Sequence, residues 1–258
     1  MERTFLVVVL VSVGLVNSSC PLTCACTIET LDLLFVDCNS RSLSYVPDLP
    51  SNTYTLQMSH NTIPEINDQV LQRHTTFDES VSTYFYYIYK NVITTMTADI
   101  FTDCNNLTSI NLSFNSIEYL HPGAFRNLTE LTNLALNINK IRYIESNTFI
   151  NLQKLYYLYL QDNEISTIQQ FAFVNLPSLH DLYLNANNIS HIKEHAFGNL
   201  PSLSILELNA NPFKCDCSVI PFRSWLNERA SIGTDAKCSD GTLVTSLHSA
   251  ALETCNRK

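Results

Sequence analysis

The chain has 258 residues, 45% of them apolar and only 15% charged, enough apolar matter for one elongated domain or two small compact ones. Lys plus Arg number 15 against 24 for Asp plus Glu, and the net charge of −9 argues against a nucleic-acid partner and favours basic or neutral ones. With only 5 glycines no glycine-rich phosphate loop is present, and no cofactor is expected.

Segment 1–19 reads as a secretory signal peptide. Arg3 precedes an apolar run from Phe5 to Val16, and Asn17-Ser18-Ser19 supplies small residues for cleavage. The run is short for a membrane span, and a retained N-terminal anchor is the alternative. No second long apolar run follows, and the end of the sequence has no lipid-anchor pattern. The expectation is a secreted, extracellular protein with no membrane span. Nine cysteines suit that compartment. Four (Cys20, Cys24, Cys26, Cys38) fall in an N-terminal cap, 20–53, and four (Cys215, Cys217, Cys238, Cys255) in a C-terminal cap, 212–258. Each set of four permits three pairings. Zinc binding is the alternative, and an oxidising compartment argues against it.

The segment between the caps, 54–211, repeats with a period of 24 residues. Phe101, Phe125, Phe149, Phe173 and Phe197 keep that spacing, as do Asn91, Asn115, Asn139, Asn163, Asn187 and Asn211. Between them runs Leu-x-x-Leu-x-Leu-x-x-Asn-x-Ile, as in Leu131, Leu134, Leu136, Asn139 and Ile141, and an earlier copy reads Leu56, Met58, Asn61, Ile63. Alternation such as Leu134-Ala135-Leu136 makes a short strand with one buried face. One unit cannot bury that face alone, so about seven units stack and share a core. The Asn column is placed to satisfy backbone groups that the turns bury, and the Phe column to form an apolar spine. One unit, 62–85, is irregular. Asn61 and Asn91 are 30 residues apart, with Ser80 and Thr83 at apolar positions, and this reads as an extra outer loop near 66–76. Cys104 falls where Leu128, Leu152, Leu176 and Leu200 fall, and reads as a small buried residue, with intermolecular pairing as the alternative.

The repeat is the leucine-rich-repeat pattern. Cys20-Pro21-x-x-Cys24-x-Cys26 with Cys38, and Asn211-Pro212-Phe213-x-Cys215-x-Cys217 with Trp225, Cys238 and Cys255, resemble the caps of extracellular leucine-rich-repeat proteins. That group includes Slit-type guidance proteins, the Nogo receptor, Toll-like receptor ectodomains and variable lymphocyte receptors. The resemblance implies an α/β horseshoe solenoid with a parallel sheet on the concave face, mostly irregular convex turns and disulfide caps. It also implies the pairings Cys20–Cys26, Cys24–Cys38, Cys215–Cys238 and Cys217–Cys255.

His191-Ile192-Lys193-Glu194-His195 matches a metallopeptidase string that needs a continuous helix to bring both imidazoles to one metal. Here it straddles an outer turn, so a solvated loop is expected. No catalytic elbow is present, and the chain is read as not an enzyme. Glycosylation strings begin at Asn106, Asn111, Asn127 and Asn188, with Asn111 outward on the inner sheet.

The frame points Leu134 and Leu136 inward, so the intervening residues face solvent on the concave sheet. Copied along the chain, it gives candidate ligand-binding residues Phe85, Tyr87, Tyr89, Tyr157, Tyr159, Gln161, Asp181, Tyr183 and Glu207, with Gln57, Asn111, Asp162, Asn185 and Ile205 beside them. Tyrosine favours interfaces, though it also favours strands. Seven strands about 4.8 Å apart make an arc of roughly 30 Å, which with its loops offers on the order of 800 Å² to one partner. The expectation is a recognition module for an extracellular or cell-surface protein or glycan, of the adhesion, guidance or immune kind. A receptor ectodomain fragment and a structural matrix protein are the alternatives.

Overall fold

The computed structural model of the chain describes residues 20–28, 33–50, 52–66, 84–98, 100–101, 104–229, 232–247 and 255. The expected signal peptide, and residues 67–83 of the irregular unit with Ser80 and Thr83, lie outside the described residues.

In chain order the strands are β1 (Ala25–Ile28), β2 (Leu34–Asp37), β3 (Thr53–Gln57), β4 (Glu65–Ile66), β5 (Tyr84–Tyr87), β6 (Thr95–Met96), β7 (Leu107–Asn111) and β8 (Asn133–Ala135). There follow β9 (Tyr143–Ile144), β10 (Phe149–Ile150), β11 (Tyr157–Tyr159), β12 (Thr167–Ile168), β13 (Phe173–Val174), β14 (Asp181–Tyr183), β15 (His191–Ile192) and β16 (Ile205–Glu207). A helix, α1 (Ile220–Asn227), closes the C-terminal end.

One nine-stranded sheet runs β1-β2-β3-β5-β7-β8-β11-β14-β16. Its first pair is an antiparallel hairpin, and every later pairing is parallel. Parallel neighbours one repeat apart are what a solenoid requires, because each unit travels out along the convex side and returns in the same direction. The convex turns are more regular than the sequence suggests. Short parallel ladders of two-residue strands join β4 to β6, β10 to β13, and β9 to β12 to β15. Ile66, Met96, Ile144, Phe149, Ile168, Phe173 and Ile192 put one side chain of each such strand into the core, and that burial aligns the turns well enough to pair. Among the described repeat residues there is no helix.

The asparagine column connects the units. Asn163 donates from Nδ2 to the carbonyls of Leu136 (3.0 Å) and Leu160 (3.1 Å), and its Oδ1 accepts from the N–H of Ile141 (3.1 Å). Two of those three partners lie in the preceding unit. Asn115, Asn139, Asn187 and Asn211 repeat the arrangement. Each amide thus satisfies buried backbone groups that no strand partner can reach. To aim the amide inward, the residue before each Asn takes a left-handed conformation, with φ between 52° and 58° at His60, Lys90, Phe114, Ile138, Asp162, Ala186 and Ala210. Such a conformation costs an L-residue roughly 1–2 kcal/mol. It persists at seven positions because the amide bonds it permits are worth more.

The phenylalanine column stacks as a second connection. Successive ring centroids from Phe101 to Phe197 lie 6.0, 5.7, 5.3 and 5.3 Å apart. The stack passes into the C-terminal cap, where Phe197 meets Trp225 at 4.8 Å and Phe222 at 6.0 Å. Phe222 and Leu226, four apart on α1, supply the buried face of the helix. Gly233 (φ +61°) packs over Leu206, Leu208 and Leu226, where a Cβ would come within 2.7 Å of Leu226 Cδ2. Asp235 Oδ2 accepts from the N–H of Leu208 (2.9 Å) and of Asn209 (2.8 Å), so a carboxylate terminates the ladder where the next unit would have stood. The Ser218 hydroxyl and N–H hold the Asp216 carboxyl below the usual range at the turn leading into α1.

The disulfides join Cys20 to Cys26, Cys24 to Cys38, Cys215 to Cys238 and Cys217 to Cys255. Cys104 is buried in the core.

Asn163→Ala removes three buried hydrogen bonds: it leaves the Ile141 N–H without a partner, while the Leu136 and Leu160 carbonyls each keep one amide donor, from Asn139 and Asn187. At about 1 kcal/mol for each lost bond, and more for the orphaned N–H, it is expected to destabilise the chain by roughly 3 kcal/mol in urea titration. Asn185→Ala, at the sheet rim, is expected to change stability by less than about 0.5 kcal/mol.

Candidate functional site: the concave face

Two register columns run across the sheet. The first is Thr55, Phe85, Ser109, Asn133, Tyr157, Asp181 and Ile205; the second is Gln57, Tyr87, Asn111, Ala135, Tyr159, Tyr183 and Glu207. They alternate with core residues such as Leu134, Leu158 and Leu182, so their side chains stand on the opposite face. The structure thus brings the predicted Phe85, Tyr87, Tyr157, Tyr159, Asp181, Tyr183 and Glu207 onto one surface. Tyr89 and Gln161 lie two residues beyond the ends of their strands.

The aromatic residues form two groups. In the first, Phe85 stacks on Tyr87 (6.2 Å) and meets the edge of Tyr54 (6.0 Å), while Tyr89 meets His60 (5.4 Å). In the second, Tyr157 stacks on Tyr159 (6.2 Å) and Tyr159 on Tyr183 (5.1 Å). Tyr156, next to Tyr157, stacks on His180 at 4.7 Å. Asn111, Asn133 and Ala135 form a small, polar floor between the groups. Asn111 Oδ1 accepts from the Ser113 N–H (3.0 Å) and hydroxyl (2.6 Å).

Asp181 departs from the open position expected for it. It is only 7% exposed, because Tyr157 and Ile205 flank it on the neighbouring strands and both of its oxygens are engaged. His180 Nδ1 lies 2.5 Å from Oδ1, and the Tyr183 hydroxyl donates to Oδ2 (3.3 Å). Asp181 therefore acts from beneath the second aromatic group. Burial, and then the Asp181 carboxylate, push the Tyr183 phenol above its ordinary pKa, with Tyr159 and Glu207 adding to the effect. Tyr159 is raised by burial, then by Tyr157 and Asp181. Tyr183 and the other predicted contact residues besides Asp181 are half-buried.

The His-x-x-Glu-His string lies on β15 and the turn after it. His191 Nδ1 is 2.8 Å from the Ser190 hydroxyl, and His195, with φ +55°, stacks on Phe171. Without a helix the two imidazoles do not share a face, and among the described residues no group of three or more potential ligands is placed for a metal ion. Of the glycosylation strings, Asn127 and Asn188 are exposed, while Asn106 and Asn111 are half-buried.

Sequence reasoning missed His180, which differs from its register neighbours Tyr156 and Ser204 and carries no motif. It also missed a cleft of about 460 Å³ between the turn at Ile192–Phe197 and α1, lined in part by Glu194, His195, Trp225 and Glu228. That cleft depends on how the cap helix packs, which no local signal encodes.

Comparison with known proteins agrees with this geometry. Overlapping windows at 87–141, 105–165, 129–188 and 153–213 match the family model described as leucine rich repeat. A curated relative, leucine-rich repeat-containing protein 3 of Danio rerio, is 32% identical over 128 residues, covering 49% of this chain and 45% of that relative. The matched region of this chain therefore spans less than half the length of that relative.

The raised phenols make a pH prediction. A phenol whose folded pKa exceeds its unfolded value of about 10 binds its proton more tightly when folded. Its stabilisation is complete below pH about 10 and is lost as pH rises through the higher folded value. Urea midpoints are expected to fall between pH 9 and pH 11, and the fall should be shallower in Tyr183→Phe.

Proposed function

We propose that this leucine-rich-repeat chain is an extracellular recognition module that binds a protein or glycan on its concave face. Leucine-rich-repeat proteins in general mediate protein binding. What supports placing the site on the concave side is the second aromatic group, in which Tyr157, Tyr159 and Tyr183 stand as a continuous stack on the face opposite the core. Tyrosine offers wide, amphipathic contact area with few rotors, and these rotors are already fixed by stacking, so little ordering entropy is lost on association. The disulfides at both ends favour an oxidising compartment. In that compartment Asn127 and Asn188, off the aromatic columns, are the glycan acceptors that leave the face open. A glycan on Asn111 would stand beside Tyr87 and cover it.

The test is a screen of the purified chain against extracellular proteins and glycans, beside a variant carrying Tyr157→Ala, Tyr159→Ala and Tyr183→Ala. A partner captured by the parent chain is expected to bind the variant at least tenfold more weakly, with the repeat fold intact by circular dichroism. A partner held equally by the variant moves the site to the convex side or the caps.

A further inference from the structure

From β3 to β16 the two concave columns contain two carboxylates, Asp181 and Glu207, and no lysine or arginine; on β2 the second column continues to Asp37, at the opposite end from the tyrosine stack. Asp181 and Glu207 both lie next to the tyrosine stack. Tyr159 and Tyr183 lie face to face (5.1 Å, 7° between planes), so one face of Tyr183 is taken by Tyr159. In register the next residue after Tyr183 is Glu207, and the other face of Tyr183 therefore looks along the sheet toward a carboxylate. The Tyr183 hydroxyl donates to Asp181, which draws the ring toward a buried negative charge. One position beyond the stack, the Gln161 Oε1 and Asn185 Oδ1 atoms are buried and accept no hydrogen bond. Among the described residues, this end of the face thus has an aromatic plane, a carboxylate next to it in register, a second carboxylate beneath that is held by His180 and the Tyr183 hydroxyl, and no lysine or arginine in the columns.

From this we propose that the space between Tyr183 and Glu207 is a seat for an arginine side chain presented by a protein partner. The inference rests on the concave-face reading above and narrows it to a partner chemistry. A guanidinium is planar, so it can stack on Tyr183 while its edge pairs with Glu207. It carries five N–H donors and no acceptor, which suits a site whose open valences are acceptors. A lysine ammonium can use the charge but not the plane. A sugar hydroxyl can donate to Glu207, but it is neutral and gains no charge–charge attraction there. Phosphates and other anions are repelled.

The probe is an immobilised tetra-arginine peptide, beside a tetra-citrulline peptide of the same shape without charge and a tetra-lysine peptide of the same charge without the plane. Saturable binding to the arginine peptide is expected, at least tenfold tighter than to either control. Glu207→Gln and Tyr183→Ala should each weaken it at least fivefold. Tyr183→Phe keeps the ring and should bind within about twofold. Glu164→Gln, on the convex flank, changes net charge equally and should leave binding unchanged. Equal binding to arginine and lysine, or an equal loss from Glu164→Gln and Glu207→Gln, would overturn the seat in favour of general attraction to an acidic chain. A captured partner lost by the triple tyrosine variant but kept by Glu207→Gln leaves the concave face standing and refutes the arginine seat. A partner kept by both variants refutes the concave reading itself.

Discussion

A buried asparagine amide that bonds across two units sets the geometry on which the rest of this solenoid depends. A parallel stack satisfies the backbone along its short strands and leaves it unsatisfied where the chain turns away from them. At that point each unit has carbonyls and an N–H pointing into an apolar interior. An amide has a donor pair and an acceptor in one rigid group, whereas a serine or threonine hydroxyl has a single donor at the same atom that accepts. Asn139 and its equivalents reach back to a carbonyl of the preceding unit, so each one closes its own turn and fixes the stacking distance to its neighbour. The left-handed residue before each Asn follows from that aim. Phe114 and Ile138, which would avoid this conformation elsewhere, are held in it.

Given that fixed rise, the other features follow as ways of filling or ending the stack. Rings at one position must meet their copies, and the Phe column does so at 5.3–6.0 Å along the convex side. A stack has two open ends, and each is closed differently. At the N-terminal end an antiparallel hairpin, pinned by Cys24–Cys38, covers the first parallel strand. At the C-terminal end the aromatic column is continued by Trp225 and Phe222, while Asp235 takes over the strand's unpaired N–H groups. A carboxylate is suited to that place because it only accepts, and the last strand's N–H groups have no next strand to accept from them.

The sequence made the repeat legible because its period is written in residue types that only one arrangement satisfies. Five Phe and six Asn at a constant spacing specify which residues stack, and the Leu-x-Leu alternation specifies which face is buried. The pairing of the convex turns was not legible. It rests on two-residue strands such as His191–Ile192, too short to carry a pattern and aligned only after the core has formed. Concave placement of Tyr157, Tyr159 and Tyr183 was legible for the same reason as the core, since a period of two assigns both faces at once. What the period could not give was depth. Asp181 occupies a column position like any other, and only the three-dimensional proximity of Tyr157, His180 and Tyr183 shows that it lies beneath the surface. The C-terminal cleft likewise depends on how α1 lies against the last turn.

Depth changes the chemistry of the concave face. An exposed aspartate would be a solvated charge, weakly attractive and screened by salt. Buried beside His180 and Tyr183, Asp181 cannot swing out to meet a ligand, so its field is fixed in direction and acts through the tyrosine it holds. The stacked rings are then no longer interchangeable apolar surfaces: Tyr183 has a carboxylate below it and another along its open face, and Tyr87, with Gln57 and Asn111 as its register neighbours, has neither. The two aromatic groups therefore differ in kind. The first offers shape and apolar area; the second adds oriented negative charge. Under the proposed concave-face reading, a partner spanning both groups meets chemically different surfaces at its two ends.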